Sequence, residues 1–292
     1  MFMYQLCQYI KLTRPHHWVK NCFVLAPIFF SGSILTSKGI TALGGFFAFS
    51  LLSSCVYIYN DWKDQNGDRL HEKKKYRPIA SGAVTGTECL LIVATIVICL
   101  IACVRYFDFS LSSLSYLVIY FLVNLAYSNG VKDIPILELL VLSSGFVVRM
   151  IFGASITDIA LSPWMLLCTA LVSLMMAAGK RRGELVNTYN SQDTRSVLNG
   201  YSHEFLNQIN TIFTTATITA YMLFCTSAEI ITRYELDLLL TVPFVFYGLL
   251  EYKRLLHVDN RGEDPTSLIL GDKRILLAIL GWCLCFIYII YL

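Results

Sequence analysis

The stretch Asn60-Asp61-Trp62-Lys63-Asp64-Gln65-Asn66-Gly67-Asp68 sets four oxygen-bearing side chains at helical spacing directly behind an apolar run. At about 100° per residue, Asn60, Asp64 and Asp68 fall within an arc of about 80° on one helical face. Three oxygen ligands in line suit a hard cation. Mg2+ takes one or two carboxylates and fills its shell with water and the phosphate oxygens of a ligand. Asp61 sits about 100° from Asn60 and is the weaker direct ligand. Gly67 offers a place for the helix to end or kink before Asp68. The plainer reading is a solvated helix end whose surface acids are neutralised by Lys73, Lys74 and Lys75. Against it stand the length of the pattern N-D-x-x-D-x-x-x-D, its place where an apolar helix meets water, and the segment Arg77-Pro78-Ile79-Ala80-Ser81-Gly82 that follows.

A metal on carboxylates implies an anionic ligand, and cations are at hand. Lys20, Lys132, Lys180 and Arg181 all stand at the ends of apolar segments, where their side chains could converge on phosphates. The competing explanation is topology alone, since Lys and Arg gather on the cytoplasmic side of membrane proteins. Lys73, Lys74 and Lys75 read better as contacts to lipid headgroups. Arg149 lies about 22 Å along a helix from Ile134. It is too deep for the mouth of such a site, and a buried intramembrane Arg must be paired, so it is expected to tie helices together.

The elements that carry these residues are membrane helices. Of 292 residues, 56% are apolar and 15% charged, with a mean hydropathy of +0.60; soluble domains carry about 25% charged residues. A water-soluble enzyme, a secreted disulfide scaffold and a disordered chain are all excluded by that balance. The expected fold is all-α, a polytopic bundle of about nine transmembrane helices forming one membrane-embedded domain over 1–292. The spans are 21–37, 39–60, 89–104, 109–131, 134–157, 159–179, 205–228, 238–250 and 275–292, against a requirement of about 20 residues per crossing. Nine crossings place 19 of the 23 Lys and Arg on one side and 3 on the other, with Arg149 inside a span. That asymmetry puts the N-terminus and the long polar loops 61–84, 180–204 and 251–274 in the cytoplasm of a cell with this chain in its inner (plasma) membrane. Long loops in a compact bundle carry function, so the site belongs at the cytoplasmic mouth. No signal peptide is evident. The ten cysteines form no metal-ligand pattern. A net charge of +3 says little about partners; a nucleic acid is not expected among them.

N-D-x-x-D-x-x-x-D followed by R-P-I-x-S-G resembles the signature of the UbiA-type intramembrane prenyltransferase superfamily, and the resemblance covers essentially the whole chain. One departure is sharp. Where aromatic prenyltransferases of that superfamily carry a second D-x-x-x-D, this chain reads Met175-Met176-Ala177-Ala178-Gly179-Lys180-Arg181-Arg182-Gly183-Glu184. Three further blocks, Arg14-Pro15-His16-His17-Trp18-Val19-Lys20-Asn21, Tyr127-Ser128-Asn129-Gly130-Val131-Lys132-Asp133 and Ser143–Gly153, resemble the decaprenyl-phosphate phosphoribosyltransferase branch. That resemblance implies transfer of 5-phosphoribose from phosphoribosyl diphosphate (PRPP) to a polyprenyl phosphate, with release of pyrophosphate, for a cell-envelope glycan precursor.

The implied roles follow. Asn60, Asp61, Asp64 and Asp68 would hold Mg2+ on the diphosphate. Asp64, Asp68 and Lys180 would carry the catalysis, and Lys20, Arg77, Tyr127, Lys132, Arg181 and Glu184 would bind substrate. Tyr127, five residues before Lys132, could hydrogen-bond a phosphate or a ribose hydroxyl, though an interfacial Tyr belt explains it equally. The polyprenyl phosphate is already an anionic nucleophile, so no general base is needed, and His16 and His17 read as interfacial. The first rival is an aromatic prenyltransferase consuming an isoprenyl diphosphate, which wants the missing second acid pair. A transporter or lipid-binding protein without chemistry wants polar residues at the membrane midplane, whereas here they pool at one face. A soluble phosphoribosyltransferase fold is excluded for want of a strand-rich half.

Overall fold

The computed structural model describes residues 2–70, 74–188, 196–234 and 237–291; among these the chain is helical, with no strand. Lys73, Asp193 and Arg195 lie outside them. The α-helices in chain order are α1 (Phe2–Thr13), α2 (Ala26–Phe30), α3 (Ser37–Leu70), α4 (Gly86–Tyr106), α5 (Leu111–Ser128) and α6 (Leu137–Thr157). They continue with α7 (Pro163–Thr188), α8 (His203–Cys225), α9 (Ala228–Tyr234), α10 (Val242–His257), α11 (Pro265–Gly271) and α12 (Lys273–Tyr291). Among the described residues six helices are long and apolar enough to cross a membrane: α3, α4, α5, α6, α7 as far as Val186, and α12. Length and composition therefore do not reproduce a count of nine.

Two expectations about elements change. Residues 21–37 do not form one helix. Pro15–Val24 is a 3-10 stretch, α2 is five residues long, and the chain then turns through Gly32, whose φ of +73° suits a residue without a Cβ. Gly67 does not end its helix: α3 runs on through Asp68 to Leu70. An isolated Gly in a helix costs about 1 kcal/mol relative to Ala, which packing along a helix of this length outweighs.

Contacts divide the chain into two compact units. The first comprises Met1–Phe29, Ser33–Lys132 and Val148–Ala160. Its spine is α3, against which α1, the 3-10 stretch, α4 and α5 pack. Small residues on α3 admit close neighbours; a Cβ on Gly45 would stand 2.1 Å from the Ile156 side chain. Val24, Ala48, Phe49, Tyr120 and Phe152 form the core. Within it Arg149 is buried and satisfied: Nε donates to Asn21 Oδ1 at 2.7 Å and Nη2 to Tyr120 Oη at 2.9 Å. Asn21 in turn donates to the Ser50 and Ser53 hydroxyls of α3. A Thr85–Glu88 capping box starts α4, and the Tyr9 hydroxyl donates to the same Glu88 at 2.6 Å, fastening α1.

The second unit comprises Phe30–Gly32, Asp133–Val147 and Leu161–Leu292. Here α7 lies along α8, and α10 along α12. Asn210 donates to the Met175 carbonyl at 2.9 Å, and Trp282 donates to the Tyr221 hydroxyl at 2.8 Å. Such bonds supply interhelical glue where apolar side chains alone gain little from meeting.

Candidate functional site

The 34 residues of α3 span about 51 Å, against about 30 Å of hydrocarbon in a bilayer. The acidic motif lies on the C-terminal third, the part that outruns a crossing. Its four polar side chains sort into two sets by their partners. Asp61 and Asp68, seven residues and about 20° apart, are both buried. Arg77 Nη1 donates to Asp61 Oδ1 at 3.0 Å and to Asp68 Oδ2 at 2.6 Å, and Arg14 Nη2 donates to Asp61 Oδ1 at 2.5 Å. Asn60 and Asp64, one turn apart, face the end of α5 and the turn beyond it. The Ser128 hydroxyl donates to Asn60 Oδ1, and Lys132 Nζ donates to Asp64 Oδ1 at 2.6 Å.

Local structure explains how the cations arrive. Arg14 ends α1 in a left-handed conformation, φ +51°, immediately before Pro15, and its guanidinium lies 5.5 Å above the Tyr57 ring. Arg77 precedes Pro78, a position biased away from helix, in the short return from α3 to α4. Asp61, the weaker candidate by angle alone, is thus the acid held by two arginines and joined through Arg77 to Asp68.

Among the described residues no three His, Cys, Asp or Glu side chains converge closely enough to hold a metal by themselves. The donor set nevertheless fits magnesium of the shared kind. It is all hard oxygen, from one helix face, with guanidinium and ammonium groups already in contact to receive the phosphates that would complete the shell.

In the second unit, α7 passes unbroken through Gly179-Lys180-Arg181-Arg182-Gly183-Glu184. Gly183 is required there, because a Cβ would lie 2.4 Å from the backbone of Gly262 in the segment that follows α10. Arg181 is fully buried. Its Nε and Nη2 donate to the two oxygens of Glu138 at 2.6 and 2.5 Å, and Nη1 donates to Glu184. The Tyr201 hydroxyl donates to Glu138 at 3.3 Å and accepts the Ile136 N–H at 2.7 Å, holding a β-branched residue at φ +67°. Burial is the main reason the Tyr201 phenol is pushed up to about 12; the Ile136 N–H opposes the shift and the Glu138 charge adds to it. Arg182 donates to the Leu256 carbonyl and to Asn207. Lys180 alone of the three keeps a third of its side chain exposed, 33%, with Nζ 3.9 Å from Glu184.

Of the residues singled out from sequence, Asn60, Asp61, Asp64, Asp68, Arg77 and Lys132 are therefore brought together in the first unit. Lys20 is half-buried on the 3-10 stretch and Tyr127 half-buried in the last turn of α5. Lys180 and Glu184 sit together on α7. Arg181, expected as a substrate contact, has no exposed surface and carries two carboxylates on its guanidinium, which tie the start of α6 to α7. Sequence reading passed over Arg14, Ser128, Glu138 and Tyr201 as site residues. Arg14 and Ser128 lie inside motif blocks, and an acid within an apolar span was signal enough for Glu138; nothing local marks Tyr201.

Residues 23–270 match the UbiA prenyltransferase family. The chain belongs to that family. Helices repeated along its length and the family together make it a multi-pass membrane protein. Among curated relatives, it is 31% identical over 287 residues to a decaprenyl-phosphate phosphoribosyltransferase of Mycolicibacterium smegmatis, covering 94% of this chain and 89% of that one. A protein of the same name from Mycobacterium tuberculosis is 32% identical, with 94% and 91% covered. Among solved structures, a UbiA homolog from Archaeoglobus fulgidus bound to GPP and Mg2+ superposes with a TM-score of 0.70 at 15% identity, covering 98% of this chain and 100% of that one. At that identity the likeness concerns the fold.

Proposed function

We propose that this UbiA-family chain transfers the 5-phosphoribosyl group of PRPP to a polyprenyl phosphate at the cytoplasmic face of the inner membrane, releasing pyrophosphate. The observation that carries this reading is the near-complete match to relatives named for that reaction, joined to a second motif whose acids are replaced by Gly-Lys-Arg-Arg-Gly-Glu. In that motif Arg181 and Arg182 are consumed by internal bonds, so the chain has no acid pair there for a second metal on an isoprenyl diphosphate. The aromatic prenyltransferase reading loses its chemistry at that point.

In this proposal Asp64 and Asp68, with Asn60 and Asp61, would hold Mg2+, which would supply positive charge for the diphosphate. When bound, Mg2+ would neutralise charge building on the leaving pyrophosphate. Arg77 and Lys132 already touch these acids and can pass to phosphate oxygens as the ligand arrives; Arg77 can do so bidentately. Arg14 orients Asp61. Lys20 and Tyr127 are further contacts of the first unit, and Lys180, oriented by Glu184, is the phosphate contact proposed for the second. As the C1–O bond of the ribose breaks, positive character develops at C1. The acceptor phosphate is an anion at neutral pH and needs no base to attack it. The experiment is direct: purified protein in lipid nanodiscs, given Mg2+, ribose-labelled PRPP and decaprenyl phosphate, moves label into the lipid fraction and releases one pyrophosphate per transfer. Consumption of an isoprenyl diphosphate with no use of PRPP would overturn the proposal.

A further inference from the structure

A groove of about 730 Å³ runs along the first unit between α3, α4 and α5. Its walls are almost wholly apolar, and it extends along α4 from Gly86 to Arg105, about 28 Å, close to the hydrocarbon depth of a bilayer. On α3 the lining is Leu52, Cys55, Ile58, Tyr59 and Trp62, small and aliphatic first and aromatic last. Lys63 stands one turn beyond Tyr59 on the same side of the helix.

Lys63 differs from the cations beside it. Arg14, Arg77 and Lys132 each hold a carboxylate. Lys63 Nζ instead donates to the neutral amide oxygen of Asn129, whose own amide N–H donates to the Tyr59 hydroxyl at 3.3 Å. Among the described residues this exposed ammonium has no carboxylate partner, and the polar Asn129–Tyr59 pair joins it to the wall of a long apolar groove. A molecule complementary to that arrangement has a phosphate head and a long hydrocarbon tail.

We infer that this groove seats the isoprenoid chain of the polyprenyl phosphate acceptor, with Lys63 and Asn129 receiving its phosphate. The inference rests on the proposed reaction and names the acceptor's subsite within it. It sets the lipid head one helical turn from Tyr59 on the same helix that carries Asp64, on an adjoining face. It also assigns work to Lys63 that is distinct from the phosphate contacts of PRPP.

Gly86 allows a clean test, since a Cβ there meets no atom within 4 Å. Gly86→Trp starts its side chain in open space at one end of the groove, and Val97→Trp fills its middle. Either substitution should raise the ratio of KM for decaprenyl phosphate to KM for geranyl phosphate about tenfold, the loss expected when part of an apolar chain is denied its seat. Lys63→Ala should raise KM about tenfold for both acceptors, as loss of a charge-assisted contact does, with KM for PRPP unmoved, and Lys63→Arg should restore it. An unchanged KM ratio in both Trp variants means ordinary membrane lipid occupies the groove, and the inference falls. A Lys63→Ala effect on PRPP instead of the acceptor overturns it equally. A binding arm separates this from the reaction itself: decaprenyl phosphate with a photoreactive group on its tail should label α4 and α5, competed by unlabelled decaprenyl phosphate and abolished by Gly86→Trp. Labelling without phosphoribosyl transfer by the wild type would keep the groove and reject the reaction. Transfer without labelling would do the reverse.

Discussion

Two ionic clusters of similar composition serve opposite ends in this chain. On α3 the acids Asp61, Asp64 and Asp68 meet Arg14, Arg77 and Lys132, and those cations keep 19%, 27% and 26% of their side-chain surface. Between α6 and α7, Glu138 and Arg181 keep none. A pair solvated on both sides, as Asp64–Lys132 is at 37% and 26%, costs little to separate, about 0–1 kcal/mol. A buried pair cannot be opened without stranding a charge, at about 3–5 kcal/mol, and Asp61 and Asp68 keep only 3% and 6% of their side-chain surface. Asp64 and Lys132 can therefore exchange partners for a ligand, whereas Glu138 and Arg181 cannot. The chemistry of a side chain does not tell the two apart; the water around it does.

The largest effect expected is on activity at the exchangeable cluster. Asp64→Ala removes an oxygen ligand from the face that would hold Mg2+ and should cut phosphoribosyl transfer by at least about 10²-fold. Melting in detergent should move little, because Asp64 shares only a solvated pair with Lys132. A variant that turned over like wild type would erase the functional half of the contrast. Glu138→Ala attacks the other half. It removes the bidentate partner of the buried Arg181 guanidinium, leaving Glu184 alone on it, and should lower stability by up to about 3–5 kcal/mol, read as an earlier loss of folded protein on heating, with Glu138→Gln intermediate. Melting like wild type would mean that water reaches Arg181.

Smaller shifts sharpen the comparison. Lys180→Ala should raise KM for PRPP about tenfold with a lesser change in kcat; an unchanged KM would place Lys180 with Arg181 as a structural cation. The smallest effect concerns pH. His257 lies beyond the apolar stretch 238–250, its Nε2 without a hydrogen-bond partner among the described residues, and its pKa is lowered by burial and then by the nearby charges of Arg182 and Lys253. The folded state thus prefers it neutral. Its contribution is complete above the unfolded value of about 6.5 and is lost as pH falls through that value toward the lower folded one. Melting temperature should decline on acidification from pH 7 to 5, and His257→Gln should flatten that slope. An equal slope in both proteins would assign the decline to other groups.

Much of this was legible before any coordinates. The N-D-x-x-D-x-x-x-D pattern announced itself because helical periodicity turns spacing into a shared face, and apolar runs marked the helices because a bilayer demands uninterrupted length. What escaped was whatever depended on distant segments. Residues 21–37 were apolar enough to read as a helix, yet Pro27 and Gly32 fall where the chain breaks into a 3-10 stretch, a five-residue helix and a turn. Arg181 looked like a phosphate ligand beside Lys180, yet neighbours on one helix point about 100° apart, and one of them found Glu138. Asp61 looked peripheral by angle until Arg77 and Arg14 arrived from other parts of the chain.

Sequence alone settled the solvent, the helical class and the acidic face, since these depend on local composition and on a periodicity that no neighbour can alter. Tertiary structure decided which charges remain negotiable. Whether an ammonium or a carboxylate is sealed, as between Glu138 and Arg181, or left within reach of water, as at Asp64 and Lys63, is set by what packs over it, and burial is a property of the assembled helices.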